Sequence, residues 1–190
     1  MLKDVSNEEV SLALSVCGKK LARLDIHYMT SGISLDVINM TANLLTKLSI
    51  SDSMISQIKE NQSVINFLPH FQICRLMRVT YRDNAESAII RRCHNLRVLH
   101  QEAGSGITDE LVENLVINRH LLKLEEIVIN GDCQLGIESV NNLTQLPQLV
   151  RFGDIQDWKI SEEERRQLFI SVKHHWEKKM GHSRNIVMDD

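Results

Sequence analysis

Apolar residues recur along the chain in one short pattern: apolar, two residues, apolar, one residue, apolar. It reads Leu21-Ala-Arg-Leu24-Asp-Ile26, then Leu45-Thr-Lys-Leu48-Ser-Ile50, then Leu76-Met-Arg-Val79-Thr-Tyr81. Later copies are Leu96-Arg-Val-Leu99-His-Gln101, Leu124-Glu-Glu-Ile127-Val-Ile129 and a degenerate Leu149-Val-Arg-Phe152-Gly-Asp154. Their starts lie 24, 31, 20, 28 and 25 residues apart. Within each copy the second and third apolar positions alternate with polar ones, the period of a half-buried strand. The pattern predicts strands at 21–27, 45–51, 76–82, 96–102 and 124–130. Parallel strands need a crossover between them, and the intervening segments supply it.

Those segments read as helices. Ser34 is placed to cap a helix with Leu35, Ile38, Ala42 and Leu45 on one stripe. Thr108 caps TDELVENLVINR, with Asp109 and Glu110 at the positive end of the helix dipole. Asn84 caps NAESAIIRRC, and Gly136 to Leu143 offers a shorter turn. Ahead of the first strand, Ser6 caps a helix whose Val10, Ala13, Leu14 and Cys17 share a face. After the last strand, Ser161-Glu-Glu-Glu164 is a capping box, and Leu168, Phe169, Val172 and Trp176 form the stripe behind it. Gly181 suits the end of that helix, and the polar tail 182–190 frays. One such unit cannot bury its own apolar face, whereas stacked units share a continuous core.

Composition narrows the class. The chain has 190 residues, a length that suits a single domain, 1–190. Its net charge of −3 argues against non-specific coating of nucleic acid, which depends on phosphate neutralisation. No apolar run approaches the ~20 residues of a membrane helix, and the opening MLKDVSNEEV does not read as a signal peptide. The cysteines, Cys17, Cys74, Cys93 and Cys133, form no CxxC and read as reduced, buried thiols of a cytoplasmic or nuclear protein.

No motif carries catalysis. Phosphate-loop glycine patterns are absent, and Gly104-Ser-Gly106 reads as a turn. His174, His175 and His182 lack the geometry of a metal set, because neighbours on a helix point about 100° apart. Cys93-His94 has no third group to orient the base. The chain is therefore read as a non-enzyme that needs no cofactor and no metal.

The repeats resemble leucine-rich repeats, specifically the irregular cysteine-containing repeats of F-box substrate receptors. Cys93-His-Asn-Leu-Arg-Val-Leu99 followed by Gly106-Ile-Thr-Asp-Glu-Leu-Val112 carries the likeness best, and residues 15–26, SVCGKKLARLDI, repeat its first half. Four of the five intervals fall within the 20–29 residues of that family. The resemblance implies an α/β solenoid over about 6–155, with a short-stranded parallel sheet on the concave face and helices on the convex face. Residues 156–181 would form a C-terminal cap. The family's Asn or Cys position, three beyond the third apolar residue, is occupied by Met29, Ser53, Asn84, Gly104, Asp132 and Asp157. Only Asn84 fits, so the family's side-chain ladder is expected to be largely missing. Gln101 and Asp154 stand where apolar residues belong. No F-box is read, since a single short helix precedes the first strand.

The strand face opposite the core is the expected site. The pleat assigns to it Arg23, Asp25 and His27; Lys47, Ser49 and Ser51; Arg78, Thr80 and Arg82; Val98, His100 and Glu102; Glu126, Val128 and Asn130; and Arg151, Gly153 and Ile155. Arg23, Lys47, Arg78 and Arg82 make one half basic, whereas Glu102 and Glu126 make the next part acidic, with His100 in the same unit as Glu102. The expected function is a non-catalytic protein–protein interaction scaffold that binds its partner on this face, as a monomer or as part of a larger assembly. The resemblance implies a substrate-recognition module related to ubiquitin-ligase receptors. The alternative is a regulator of a small GTPase.

Overall fold

A computed structural model describes residues 2–3, 5–29, 32–56, 69–81, 89–91, 93–102, 106–131, 133–153 and 155–168. The fold is α/β. Seven strands form one sheet: β1 (Leu2–Lys3), β2 (Arg23–His27), β4 (Lys47–Ser51), β6 (Ile73–Met77), β8 (Val98–Glu102), β9 (Glu126–Asn130) and β10 (Arg151–Phe152). Their spatial order is their chain order, and every neighbouring pair is parallel. A second parallel sheet joins β3 (Ile33–Ser34), β5 (Met54–Ser56) and β7 (Thr80–Tyr81). The parallel bridges Thr108 to Gln134 and Gly136 to Lys159 carry the same pairing further along the chain.

The crossovers contain helices. They are α1 (Asn7–Cys17), which precedes β2, then α2 (Leu35–Thr41), α3 (Asp109–Ile117) and α4 (Ile137–Thr144). Residues 89–91 and 162–168 are also helical. The capping residues act as their chemistry requires. Ser6 and Glu9 form a reciprocal box, Glu9 N donating to Ser6 Oγ at 3.2 Å and Ser6 N to Glu9 Oε2 at 2.7 Å. Thr108 Oγ1 accepts from Leu111 N at 3.2 Å. Ser161 and Glu164 form a second box. Ser34 sits at the start of α2 but makes no capping bond with its side chain.

The core lies between the large sheet and the helices. Two rows of side chains run across the strands in register. One is Leu24, Leu48, Cys74, Leu99 and Ile127, and the other is Ile26, Ile50, Leu76, Gln101 and Ile129. All ten are buried. Full burial of one large aliphatic side chain is worth about 1.5–3 kcal/mol, so the rows fix which face of each strand points inward. Gln101 is a polar member of this core. At the C-terminal end Trp158, Ile160 and Leu168 are buried, and Trp158 Nε1 donates to the Ile129 carbonyl at 2.9 Å. The remaining cap residues, Phe169, Val172 and Trp176, and the tail lie outside the described residues.

Three sequence expectations need correction. The strand expected at 76–82 is β6 at Ile73–Met77, so the repeat there reads Phe71-Gln-Ile-Cys74-Arg-Leu76. Phe71, Cys74 and Leu76 fill the three buried positions, and the starts Leu21, Leu45, Phe71, Leu96, Leu124 and Leu149 are now 24, 26, 25, 28 and 25 residues apart. Backbone geometry explains the stop after Met77. Tyr28, Asp52 and Arg78 each follow a strand of the large sheet, and each has a left-handed φ, of 58°, 50° and 49°. Gly131 follows β9 with a φ of 89°. The same turn thus closes four strands, and Val79 and Tyr81 belong to the segment beyond it.

Cys17 is exposed, whereas the helical pattern placed it in the core. Gly18 takes the inward position instead, so close to α2 that an added Cβ would stand 2.4 Å from the Thr41 carbonyl oxygen. The ladder of polar side chains is also less depleted than expected. Ser53 Oγ accepts from Met29 N at 3.0 Å and donates to the Ser51 carbonyl at 2.7 Å. Asp157 Oδ2 accepts from Gly131 N at 2.7 Å. A hydroxyl and a carboxylate therefore bind loop backbone at two positions where the resemblance led to the expectation of Asn or Cys. Asn84 lies outside the described residues, and the corrected register gives its place to Val79.

Candidate functional site

The face of the large sheet opposite the core carries three rows of side chains, set by the strand register. The first is Arg23, Lys47, Ile73, Val98, Glu126 and Arg151. The second is Asp25, Ser49, Arg75, His100 and Val128, and the third holds His27, Ser51 and Met77, then Glu102 and Asn130. Ile73, Arg75 and Met77 replace the expected trio Arg78, Thr80 and Arg82. Thr80 belongs to β7, Arg78 to the turn after β6, and Arg82 lies outside the described residues. The missed trio was present in the sequence as the overlapping Phe71–Leu76 copy, which also has the more even spacing.

Most charges on and beside this face are already matched. Arg23 Nε lies 2.6 Å from Asp25 Oδ2 on the same strand. His27 Nδ1 and Ser51 Oγ are hydrogen-bonded across strands at 2.5 Å. Arg78 grips Asp52 through both carboxylate oxygens, at 2.6 and 2.9 Å. That guanidinium holds the Asp52 carboxyl below its usual range, and the carboxylate raises the arginine in return. Arg78 also stands 3.9 Å from Glu102. Glu126 receives His100 Nε2 at 2.6 Å and Arg151 Nη1 at 3.1 Å. The expected basic and acidic halves therefore interlock through Arg78 and Glu102. Lys47 and Arg75 are the face cations with no acidic partner among the described residues.

Among the described residues, Arg75 Nε and Asn130 Oδ1 on this face are shielded from solvent and make no hydrogen bond, and the shielded Glu102 Oε2 has its ion-pair partner Arg78 at 3.9 Å. Shielded polar atoms are normally paired, so each exception needs a reason. Arg75 is half-buried between Ile73 and Met77 of its own strand, and Ser49 and His100 flank it on the neighbouring strands.

Two hollows elsewhere among the described residues offer less chemistry. Pro69, His70, Gln72, Asn95, Arg97 and Lys123 line a hollow of about 330 Å³ at the start of the central strands. Its Arg97 is tied to Glu125 by two bonds of 2.8 Å, and its Lys123 to Asn95 at 2.6 Å. An apolar hollow of about 320 Å³ lies beside α1, against Ala13, Leu14, Cys17, Leu21 and Leu24. Among the described residues no three His, Cys, Asp or Glu side chains converge as metal ligands. The buried thiols are poor nucleophiles: burial pushes Cys74 up to about 12 and Cys93 well above its ordinary value. The His94 ring faces His120 with centroids 4.6 Å apart. No helix among the described residues is long and apolar enough to cross a membrane. Comparison with protein-family models, with curated proteins and with solved structures finds no match to this chain.

Proposed function

We propose that the chain is a leucine-rich-repeat solenoid acting as a non-catalytic protein-interaction scaffold, with its partner seated on the outer face of the large sheet. Support for the repeat reading comes from strands stacked in chain order, near-constant register offsets and one left-handed turn closing four strands. In such a stack each unit contacts its neighbours, and the sheet becomes a continuous surface. The observation that carries the binding reading is the pair of face cations, Lys47 and Arg75, that have no acidic partner among the described residues. A partner whose acids reach those two side chains gives them the ion pairs that the described residues do not supply. Substrate recognition for a ubiquitin ligase, in the cytoplasm or nucleus, is the role the family resemblance suggests.

Affinity purification tests this reading. The full chain is compared with a Lys47→Ala/Arg75→Ala variant of matched melting temperature, and bound proteins are identified by mass spectrometry. A protein retained by the first and lost by the second is expected. Ligase adaptors among the retained proteins would favour the ligase role, and a small GTPase would favour the regulatory one. An identical set of proteins from both chains would move the binding surface elsewhere.

A further inference from the structure

Which kind of partner segment fits the face follows from its unmatched charges. Arg75 and Lys47 stand on adjacent strands, with Lys47 in register with Ile73, two residues before Arg75. With strands about 4.8 Å apart and a rise of about 3.3 Å per residue, their Cα atoms lie about 8 Å apart on the diagonal. The acids nearby are engaged elsewhere: Asp25 by Arg23, Asp52 by Arg78, Glu126 by His100 and Arg151, and Glu102, two residues beyond the His100 that pairs with Arg75, by Arg78 at 3.9 Å. Among the described residues no acid pairs with either cation. Ile73, Met77 and Val98 are the apolar register neighbours of Arg75, whose Nε is shielded from solvent, and a less aqueous setting strengthens an ion pair made there.

We propose that this surface reads an extended acidic segment of a partner protein, two carboxylates at alternate positions pairing with Arg75 and Lys47. The proposal rests on the scaffold reading above and names the chemistry of its ligand. Alternate residues of an extended chain point the same way and lie about 6.7 Å apart, a spacing the flexible lysine stem can meet. The planar guanidinium takes one carboxylate in two parallel bonds through its Nη groups. Ser49, beside Arg75, offers a hydroxyl to the same segment. Glu102 sets the limit of the acidic track, because its carboxylate repels a third acid placed over the Met77 row.

The test uses the full chain and two fluorescein-labelled peptides, with Glu-Val-Glu or Gln-Val-Gln between neutral flanks, plus labelled oligothymidylate. Binding is followed by anisotropy and by amide shifts in nuclear magnetic resonance. The acidic peptide should bind at least about tenfold more tightly than its amide twin, and added salt should weaken it. Arg75→Gln and Lys47→Gln should each reduce binding severalfold, and Arg97→Gln should leave it unchanged. Melting curves of the variants serve as folding controls. Equal binding of the two peptides, no binding of either, or indifference to Arg75→Gln would overturn the proposal. Preference for oligothymidylate would overturn it too and would assign the cations to a nucleic acid. Failure here, with the partner of the purification still lost on Lys47→Ala/Arg75→Ala, leaves the scaffold reading standing and removes only the acidic segment.

Discussion

Asp109 and Ser139 lie 30 residues apart, and one carboxylate oxygen of the first receives both the backbone N–H of the second, at 3.2 Å, and its hydroxyl. The same Oδ1 accepts from Gly136 N at 2.8 Å. Asp109 opens α3, yet these donors belong to the first turn of α4, whose N-cap residue Gly136 has no side chain to offer. A carboxylate from the preceding crossover thus caps the next helix and also complements its dipole. It satisfies the Ser139 hydroxyl as well, and Ser139 is fully buried.

Asp109→Ala should therefore destabilise the protein by about 1–3 kcal/mol, the range for losing a cap and stranding a buried hydroxyl. Ser139→Ala should cost less, because the carboxylate keeps its backbone donors. Urea denaturation followed by circular dichroism measures both. An unchanged midpoint for Asp109→Ala would mean that the helix is held by packing alone.

Gly131→Ala is expected to lower stability by about 1–2 kcal/mol, because alanine resists the left-handed turn that glycine accepts there. Thermal unfolding of the variant reads this out. A melting temperature at or above that of the parent would contradict the turn assignment.

Thiol chemistry checks the corrected register. Cys17 is exposed, whereas Cys74, Cys93 and Cys133 are buried. An Ellman-type reagent at pH 8 should titrate Cys17 quickly and the other three only on unfolding. Rapid reaction of Cys74 would contradict the placement of β6, since in this register its thiol lies inside the core with a pKa of about 12.

Acid sensitivity has a definite sign. Arg78 depresses the Asp52 carboxyl in the folded state, so the pair's contribution is present above the unfolded value of 3.8 and fades as pH falls through the lower folded one. Asp52→Asn should flatten that part of the pH–stability curve. Burial and the nearby His120 lower His94, so the fold prefers its neutral ring and loses stability as pH drops below 6.5. His94→Gln should remove that slope, and an unaltered slope between pH 7 and pH 5 would assign it to other groups.

The strands at 23–27, 47–51, 98–102 and 126–130 were legible because alternating residues and flanking turns agree there. The third strand was not, because the two candidate copies share Leu76 and differ only in whether Phe71 and Cys74 or Val79 and Tyr81 complete the pattern. The wrong choice exchanges the faces: 78, 80 and 82 point outward in one register, and 73, 75 and 77 in the other. What decides is not local. The parallel neighbours β4 and β8 and the left-handed turn at Arg78 pin the strand. Pairings such as Asp52 with Arg78 depend on that register, and so does the isolation of Arg75. Of the expected face residues, Arg23, Lys47, His100, Glu102 and Glu126 keep their strand positions, whereas Arg78 sits in a turn beside them. Cys17 misled because helical period alone cannot tell that Gly18 makes the closer approach.

The central claim is that a partner protein covers the outer face of the sheet. Site-specific photocrosslinking tests it most directly, with p-benzoylphenylalanine introduced at Met77 on that face or, separately, at the exposed Glu113 on α3. Irradiation in cells, followed by mass spectrometry of the adducts, should yield one defined protein adduct from position 77 and none from position 113. An adduct from position 113 alone would place the partner on the helices and contradict the account.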